Sequence, residues 1–255
     1  MNNLKSLSRN YMANCLVQDI QSWPFSIACW EGGSAANKRV DPYSDLDLVI
    51  AVENGNVEEA FSRIQTYINS IAEIDHLWRV PEPTWHGHSQ TFYKLSHCPE
   101  YFFLDVVVMQ EKAQQRFLER ERHGNPVIHF DKKNFIQISS CDTEEFRTKR
   151  RQRLETIEAS FSFFKAIALK EMLRNRPLDA MAFYRNLINI LVELLGMKYR
   201  PFRYDFGLRY LHNDLPIDEQ RELEGFCYVS DLKQIEEYIP AIELRVLKLV
   251  AELTS

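Results

Sequence analysis

Two aspartates, two residues apart at the start of an apolar segment, are the residues whose types and spacing point most directly to chemistry. Asp45 and Asp47 flank Leu46, and an apolar run continues to Val52. Side chains two residues apart in a strand project from one face, so a strand over residues 46–52 would bring the two carboxylates together. Such carboxylates repel unless a proton or cation lies between them, and Mg²⁺ prefers oxygen ligands. The pair therefore predicts a metal site, although it also occurs in ordinary turns and calcium loops.

A glycine turn lies upstream of the aspartates. Gly32, Gly33 and Ser34 follow a β-rich run over residues 25–30. Glycine allows strained dihedral angles and close approach of the backbone, while the serine hydroxyl and nearby amides can donate to phosphate oxygens. Ser34 could also open a short helix over residues 35–37, whose N-terminus would attract anions. We therefore expect Gly33 and Ser34 to bind phosphate.

A third carboxylate lies alone in an apolar strand. Asp105 is the one charged residue within residues 101–109, which are otherwise aromatic or aliphatic. An isolated ionised carboxylate is costly to bury unless a metal or a proton compensates it, and burial raises its pKa toward the working range of a general base. Asp105 is therefore a candidate metal ligand and proton acceptor. The alternative is an aspartate on an exposed strand face.

The order and spacing of these residues resemble a known signature. Gly33-Ser34, then ten residues, then Asp45-Leu46-Asp47 match the Gly-Ser, x-ten, Asp-x-Asp pattern of the DNA polymerase β-like nucleotidyltransferase superfamily. That family also supplies a third carboxylate from a later strand, as Asp105 would here. The chain length, the helical second half and the β-rich run over residues 127–130 resemble the branch of aminoglycoside and lincosamide adenylyltransferases.

This resemblance implies an activity and its cofactors. Two Mg²⁺ ions would bind, one held by Asp45, Asp47 and Asp105, the other by Asp45 and Asp47. ATP would be the co-substrate, with Gly33 and Ser34 at its phosphates. AMP would pass to a hydroxyl of a small-molecule acceptor as pyrophosphate leaves, and Asp105 would accept the hydroxyl proton. Two alternatives remain open: AMP transfer to a protein, and a nucleotide-binding module without catalysis.

Several basic residues could neutralise a triphosphate. Lys165 and Arg185 each interrupt an apolar helical stripe. Such a cation either lies at the rim of its stripe with its charge in water, or points inward to bind the β- and γ-phosphates. The basic run over residues 147–153 presents a similar alternative. We take Lys165 as the candidate for nucleotide binding; Lys38 or Arg39 could replace the basic residue that many relatives carry after Gly-Ser.

The spacing of apolar residues changes character near residue 140, which predicts two domains. Residues 1–140 contain short β-rich runs and a helix over residues 57–71, while residues 141–255 are helical, beginning at a predicted N-cap, Asp142. The β-rich runs cover residues 25–30, 46–52, 90–95, 101–109 and 127–130. We predict an α+β chain: a polymerase β-like nucleotidyltransferase domain with a mixed sheet and helices, followed by an all-helical C-terminal domain.

Three other groups of residues were weighed as sites. His86 and His88 lack acidic or thiol partners at zinc-motif spacing, which favours solvent-exposed loop histidines. The aromatic and basic run over residues 199–206 could stack a nucleobase, but interdomain packing is the more common use of such a cluster. The five cysteines show no CxxC pair, and we expect reduced thiols in the core.

Composition excludes several classes of protein. A net charge of −5 and the absence of a basic bias argue against a nucleic-acid partner. No run approaches the ~18 apolar residues of a membrane span, so no membrane association is expected. The N-terminal segment carries Lys5 and Arg9, but Asn14 interrupts its apolar residues, which is not typical of a secretory signal. We expect a cytoplasmic protein.

Overall fold

The structure is a computed structural model that describes residues 7–254 of the 255-residue chain. Residues 1–6, including Lys5 of the N-terminal segment, and Ser255 lie outside the described residues. The chain divides into two compact units between Ser140 and Cys141. The first unit contains a six-stranded mixed sheet with helices, and the second is helical, which confirms the predicted α+β class.

The first unit contains strands and helices, and the strand order of its sheet places β2 and β5 side by side. Its elements are α1 (Arg9–Ser22), β1 (Ser26–Glu31), α2 (Gly33–Ala36), β2 (Leu46–Val52), α3 (Val57–Ile71), β3 (Ile74–Arg79), β4 (Ser89–Leu95), β5 (Leu104–Gln110), α4 (Arg120–His123) and β6 (Val127–Asp131). The strands lie in the order β3-β4-β5-β2-β1-β6. Only β2 and β5 pair in parallel in this sheet; the other four pairings are antiparallel.

Alternation along β2 separates the core from the candidate site. Leu46, Leu48 and Ile50 are fully buried in a cluster that includes residues of α1 and α3. Asp47 and Val49 point to the opposite face, because successive side chains of a strand alternate. One face of β2 therefore anchors the sheet, and the other presents the aspartate.

Most of the predicted elements of the first unit are confirmed, and the others differ from the prediction as follows. The predicted strand over 46–52 and the helix over 57–71 match β2 and α3. The predicted strand over 101–109 begins only at Leu104, because the Phe102 N–H donates to Pro99 O in a turn. Neither the helices α1 and α4 nor the strand β3 was predicted. The side chains of β3 are mostly exposed and show no alternation.

The second unit packs its helices around α6. Its elements are α5 (Thr143–Leu173), α6 (Pro177–Tyr199), α7 (Leu211–Asp214), α8 (Ile217–Cys227) and α9 (Leu232–Thr254). The Asp142 side chain accepts hydrogen bonds from the N–H groups of Glu144 and Glu145, which confirms the predicted N-cap of α5.

One helix among the described residues, α6, has the length and composition of a membrane span. It is 23 residues long and contains an 18-residue window with a mean hydropathy of 1.2, but 61% of that window is buried in the structure. Core helices of ordinary globular domains share these properties, so α6 is weak evidence for a membrane span. Length and composition of this helix are therefore explained by packing within the second unit.

The five cysteines are free thiols, but they are not all in the core. Cys29 and Cys141 are buried, whereas Cys227 is exposed. The prediction of core thiols is wrong for Cys227, which is the last residue of the short helix α8.

Candidate functional site

The parallel register of β2 and β5 brings two of the predicted carboxylates side by side. Asp47 and Asp105 are Cα partners on these neighbouring strands, so their side chains share one face of the sheet. Asp45 lies one residue before β2, where the Leu46 N–H donates to Phe103 O. All three aspartates are half-buried. Two residues far apart in sequence thus form one carboxylate cluster with Asp45.

The pKa of Asp47 shows how its surroundings act on the carboxylate. Burial is the largest cause that raises the pKa of Asp47, to about 7, and the charges of Asp45 and Asp105 add to it. The Ser34 backbone N–H and the Arg9 guanidinium oppose the rise. A carboxyl group whose pKa is raised to about 7 by burial and by neighbouring carboxylates favours any ligand that brings positive charge.

The glycine turn is folded directly onto Asp47. Gly33 has a φ of +49°, and a Cβ at this position would lie 1.8 Å from Asp47 Oδ2. The Gly32 N–H donates to Asp47 O at 3.1 Å, and the Ser34 N–H donates to the Asp47 carboxylate. Gly33 therefore permits both a left-handed backbone and the close approach of the carboxylate.

The Ser34 hydroxyl has no hydrogen-bond partner among the described residues. The predicted short helix is present as α2, although it begins at Gly33 rather than at residue 35. The Ser34 Oγ atom is buried, and no hydrogen bond to it is found within residues 7–254. A buried hydroxyl without a partner is costly, and a phosphate oxygen could satisfy it.

Replacing Gly33 with alanine is expected to displace the Asp47 carboxylate. The left-handed backbone alone should cost about 1–2 kcal/mol of the free energy of unfolding, and the added methyl occupies the position of Oδ2. We expect Mg²⁺-dependent nucleotide binding to weaken by roughly 10-fold or more, about 1.4 kcal/mol. Chemical denaturation and titration calorimetry measure the two effects.

Two matched controls separate strain from displacement. Gly55 also has a positive φ, +89°, but nothing lies within 4 Å of its added Cβ, and Gly32 has open space without a positive φ. Gly55→Ala should lose stability and retain binding, and Gly32→Ala should lose little of either. Normal binding by Gly33→Ala would show that the turn does not hold Asp47.

A cluster formed by the buried Glu31 and the half-buried Arg9 and His129 lies beside the aspartates, and it was not predicted from the sequence. Arg9 donates from Nε to Asp45 O at 2.7 Å and pairs through Nη2 with Glu31 Oε2 at 2.5 Å. His129 Nε2 lies 2.9 Å from Glu31 Oε1. Burial would raise the pKa of Glu31, but hydrogen bonds from His129 and Arg9 hold it below its ordinary value. Arg9 thus ties the segment before β2 to the end of β1.

Asp105 has its own partner on β4. Gln90 Nε2 donates to Asp105 Oδ1 at 2.7 Å, and His86 Nε2 lies 3.1 Å from Gln90 Oε1. The prediction that His86 and His88 are solvent-exposed is wrong: His88 is buried and His86 is half-buried. Both rings pack edge-on against Phe117, which encloses this turn.

The predicted metal site is not assembled as a ligand group in the structure. Across residues 7–254, no three or more His, Cys, Asp or Glu side chains are placed so that they could hold a metal ion. The donor set still fits Mg²⁺, because carboxylates and a serine hydroxyl are hard oxygen ligands. A triphosphate would have to supply the remaining oxygens.

Several of the candidate basic residues have partners within the second unit. Lys165 Nζ pairs with Glu243 Oε1 at 2.5 Å, so its predicted contact with phosphate would require this ion pair to open. In the basic run, residues 147, 149 and 153 pair with glutamates, which favours the solvated-face interpretation. Arg200 and Arg203 of the aromatic and basic run both pair with Asp214 within the second unit.

Comparisons with known proteins identify no family. No family model matches the chain, and no curated protein sequence matches it. Among solved structures the chain is similar to spectinomycin adenyltransferase from Enterococcus faecialis, crystallised with ATP and spectinomycin. The alignment covers 97% of this chain and 98% of that chain, with 10% identity and a TM-score of 0.35. A similarity this low carries no argument, so function must be argued from the geometry of the site.

Proposed function

We propose that the chain transfers a nucleoside monophosphate, AMP from ATP, to a hydroxyl of a small-molecule acceptor and releases pyrophosphate. The observation that carries the proposal is the contact between the Gly33 turn and Asp47, beside Asp105 on the next strand. A turn with donors for phosphate and a cluster of carboxylates thus meet at one point. In this proposal residues 1–140 form the catalytic domain, residues 141–255 form a helical domain, and the protein acts in the cytoplasm.

The proposed reaction is a displacement at the α-phosphorus. The acceptor oxygen forms a bond to this phosphorus while the bond to the pyrophosphate oxygen breaks, and the hydroxyl proton passes to the Asp105 carboxylate. Gln90 donates to one oxygen of that carboxylate. Asp105 is therefore the group that we expect to act as the base.

The turn and the first two aspartates would bind the nucleotide. Ser34 Oγ, buried and without a partner in residues 7–254, would donate to a phosphate oxygen. Asp45, Asp47 and Asp105 would hold two Mg²⁺ ions, which neutralise the triphosphate and increase the acidity of the acceptor hydroxyl when bound. The raised pKa of Asp47 supports this assignment, because a divalent cation would relieve the repulsion among the carboxylates.

We expect nucleotide binding to require a divalent metal. Three carboxylates repel the anionic triphosphate unless cations lie between them. Titration calorimetry of ATP should give measurable binding with Mg²⁺ and at least ~10-fold weaker binding in EDTA. Equal affinity in EDTA would contradict the metal site at Asp45 and Asp47.

A screen with [α-³²P]ATP identifies the acceptor. Aminoglycosides, lincosamides and a cell lysate are incubated with the enzyme and Mg²⁺, and Asp47→Asn serves as the blank. Label in a small molecule supports the proposal, and label in a protein assigns a protein acceptor instead. Metal-dependent ATP binding without transfer to any acceptor would indicate a nucleotide-binding module.

A further inference from the structure

A chain of hydrogen bonds leads from the loop before β4 to Asp105. The His88 backbone N–H donates to His86 Nδ1 at 3.1 Å. His86 Nε2 contacts Gln90 Oε1 at 3.1 Å, and Gln90 Nε2 donates to Asp105 Oδ1 at 2.7 Å. Thr84 Oγ1 donates to His88 O at 2.6 Å and closes the turn that carries the imidazole. Each link is within ordinary hydrogen-bond distance.

The backbone donor at the start of this chain gives it a direction. Because the His88 N–H points at Nδ1 of His86, that nitrogen accepts and the ring proton lies on Nε2. Nε2–H then donates to the Gln90 carbonyl oxygen, which turns the Gln90 amide group toward Asp105. The opposite amide orientation would place an oxygen against the carboxylate and lose both hydrogen bonds.

We propose that Gln90 and His86 are positioning residues that orient the Asp105 carboxylate for metal binding and proton transfer. The inference rests on the proposed function and adds two residues that act through Asp105 rather than on substrate. Asp105 lies beside Asp47 on the neighbouring strand, so repulsion would rotate it away in the absence of a donor on its other side. Gln90 lies two residues from Phe92, the Cα partner of Asp105, and therefore on the same sheet face.

Aromatic side chains pack around the imidazole and shield this hydrogen-bond chain partly from water. His86 is half-buried, and its ring packs edge-on against Phe117 with a centroid separation of 6.0 Å. The Trp85 ring also packs edge-on against the His86 ring, with 5.1 Å between the ring centroids. Partly buried hydrogen bonds are less exposed to competition from water. Removal of a partner that orients a metal ligand typically reduces metal affinity or activity by about 10–100-fold.

The first experiment tests the direction of the hydrogen-bond chain and does not depend on enzyme activity. ¹⁵N NMR of the histidine-labelled full chain reports which imidazole nitrogen of His86 carries the proton. We expect the neutral form protonated at Nε2. A ring protonated at Nδ1 would reverse the direction of the chain and overturn the inference.

The second experiment measures Mn²⁺ binding in the presence of α,β-methylene-ATP, which cannot be cleaved at the bond that the proposed transfer breaks. Electron paramagnetic resonance of free Mn²⁺, compared with a protein-free blank that contains the same analogue, gives the dissociation constant of the protein complex. Gln90→Leu should raise it by about 10-fold or more. His86→Phe keeps the ring packing but removes the donor, and should raise it roughly 5-fold, the effect of one hydrogen bond. His86→Gln restores a donor and should recover most of the affinity.

His76→Phe is the matched control, because His76 is an exposed histidine on β3 that contacts Asp75. It should bind Mn²⁺ as the parent protein does. If the parent protein binds Mn²⁺ and Gln90→Leu and His86→Phe bind it equally well, the positioning inference is wrong while the proposed function stands. If the parent protein binds no Mn²⁺ with the analogue, the proposed function fails and the inference fails with it. If Gln90→Leu does not fold, the Mn²⁺ affinities of the two His86 variants test the positioning inference.

Discussion

Replacing Asp105 with asparagine is expected to reduce kcat for AMP transfer by about 10²–10⁴-fold, the usual contribution of a positioned general base. The amide keeps the size of the side chain and one oxygen that can accept from Gln90. It loses the negative charge and nearly all basicity, so the acceptor hydroxyl has no group to take its proton. Initial rates are measured with [α-³²P]ATP and the acceptor that the screen identifies.

Nucleotide binding and pH dependence separate loss of the base from loss of the site. Asp45 and Asp47 are unchanged in this variant, so Mg²⁺-dependent ATP binding should remain measurable in calorimetry, although weaker by about the 10-fold or more expected for Gln90→Leu. Higher pH should recover part of the rate, because the acceptor hydroxyl then ionises without a base. Transfer by Asp105→Asn close to that of the parent protein would make Asp105 an ordinary strand residue.

The local geometry of the turn and of β2 could be anticipated because it depends on residues close in sequence. Gly33, Ser34 and Asp47 lie within fifteen positions of one another. Their residue types and their spacing together predicted a turn at Gly33 and Ser34 close to a carboxylate at Asp47. Alternation predicted which face of β2 is buried. The roles of these residues in metal and nucleotide binding stay predictions.

The partners of the carboxylates could not be anticipated, because they come from distant segments. Arg9 lies 36 residues from Asp45, and His129 lies 98 residues from Glu31. No local pattern distinguishes Arg9 from a cation on the exposed side of α1, or Gln90 from a polar residue on an exposed strand face. Only the strand order and register reveal that these side chains meet.

The exposure or burial of individual side chains explains where the prediction of the fold from the sequence was wrong. Four of the six β3 residues are exposed, so the strand has no apolar alternation to reveal it. His88 shows the opposite error, because a histidine beside glycine in a turn-rich segment is normally exposed. Here the ring of Phe117, distant in sequence, packs against the His88 ring with 5.4 Å between the ring centroids. Burial decided by tertiary contacts of this kind is invisible to local spacing.

Replacing Asp47 with asparagine is expected to stabilise the metal-free protein while abolishing metal-dependent nucleotide binding. The folded-state pKa of Asp47 is about 7, raised from 3.8 by burial and by the neighbouring aspartates. Between these values the folded state binds the proton more tightly than the unfolded state. The protonated group stabilises the fold fully below about pH 4, and this contribution is lost as the pH rises through about 7.

The asparagine amide should mimic the protonated carboxyl at every pH. Its oxygen can accept the Ser34 N–H, and its NH₂ group faces carboxylates instead of repelling them. In EDTA at pH 8 we expect Asp47→Asn to gain on the order of 2–4 kcal/mol in the free energy of unfolding, and at pH 4 almost nothing. Chemical denaturation at the two pH values measures the difference. Asp75→Asn, the same change at an exposed position on β3, should alter stability by less than about 0.5 kcal/mol.

Mg²⁺ and ATP should reverse this order of stability. The parent protein binds them in the folded state, and ligand at about 1,000 times its dissociation constant adds about 4.1 kcal/mol. Asp47→Asn lacks the charge that holds the cation, so its unfolding transition should not move. An Asp47→Asn protein less stable than the parent in EDTA at pH 8 would mean that Asp47 stabilises the fold. A variant stabilised by Mg²⁺ and ATP as much as the parent would remove Asp47 from the metal site. The opposite signs in the two conditions follow from one cause: a carboxylate cluster that is unfavourable alone becomes favourable when a divalent cation occupies it.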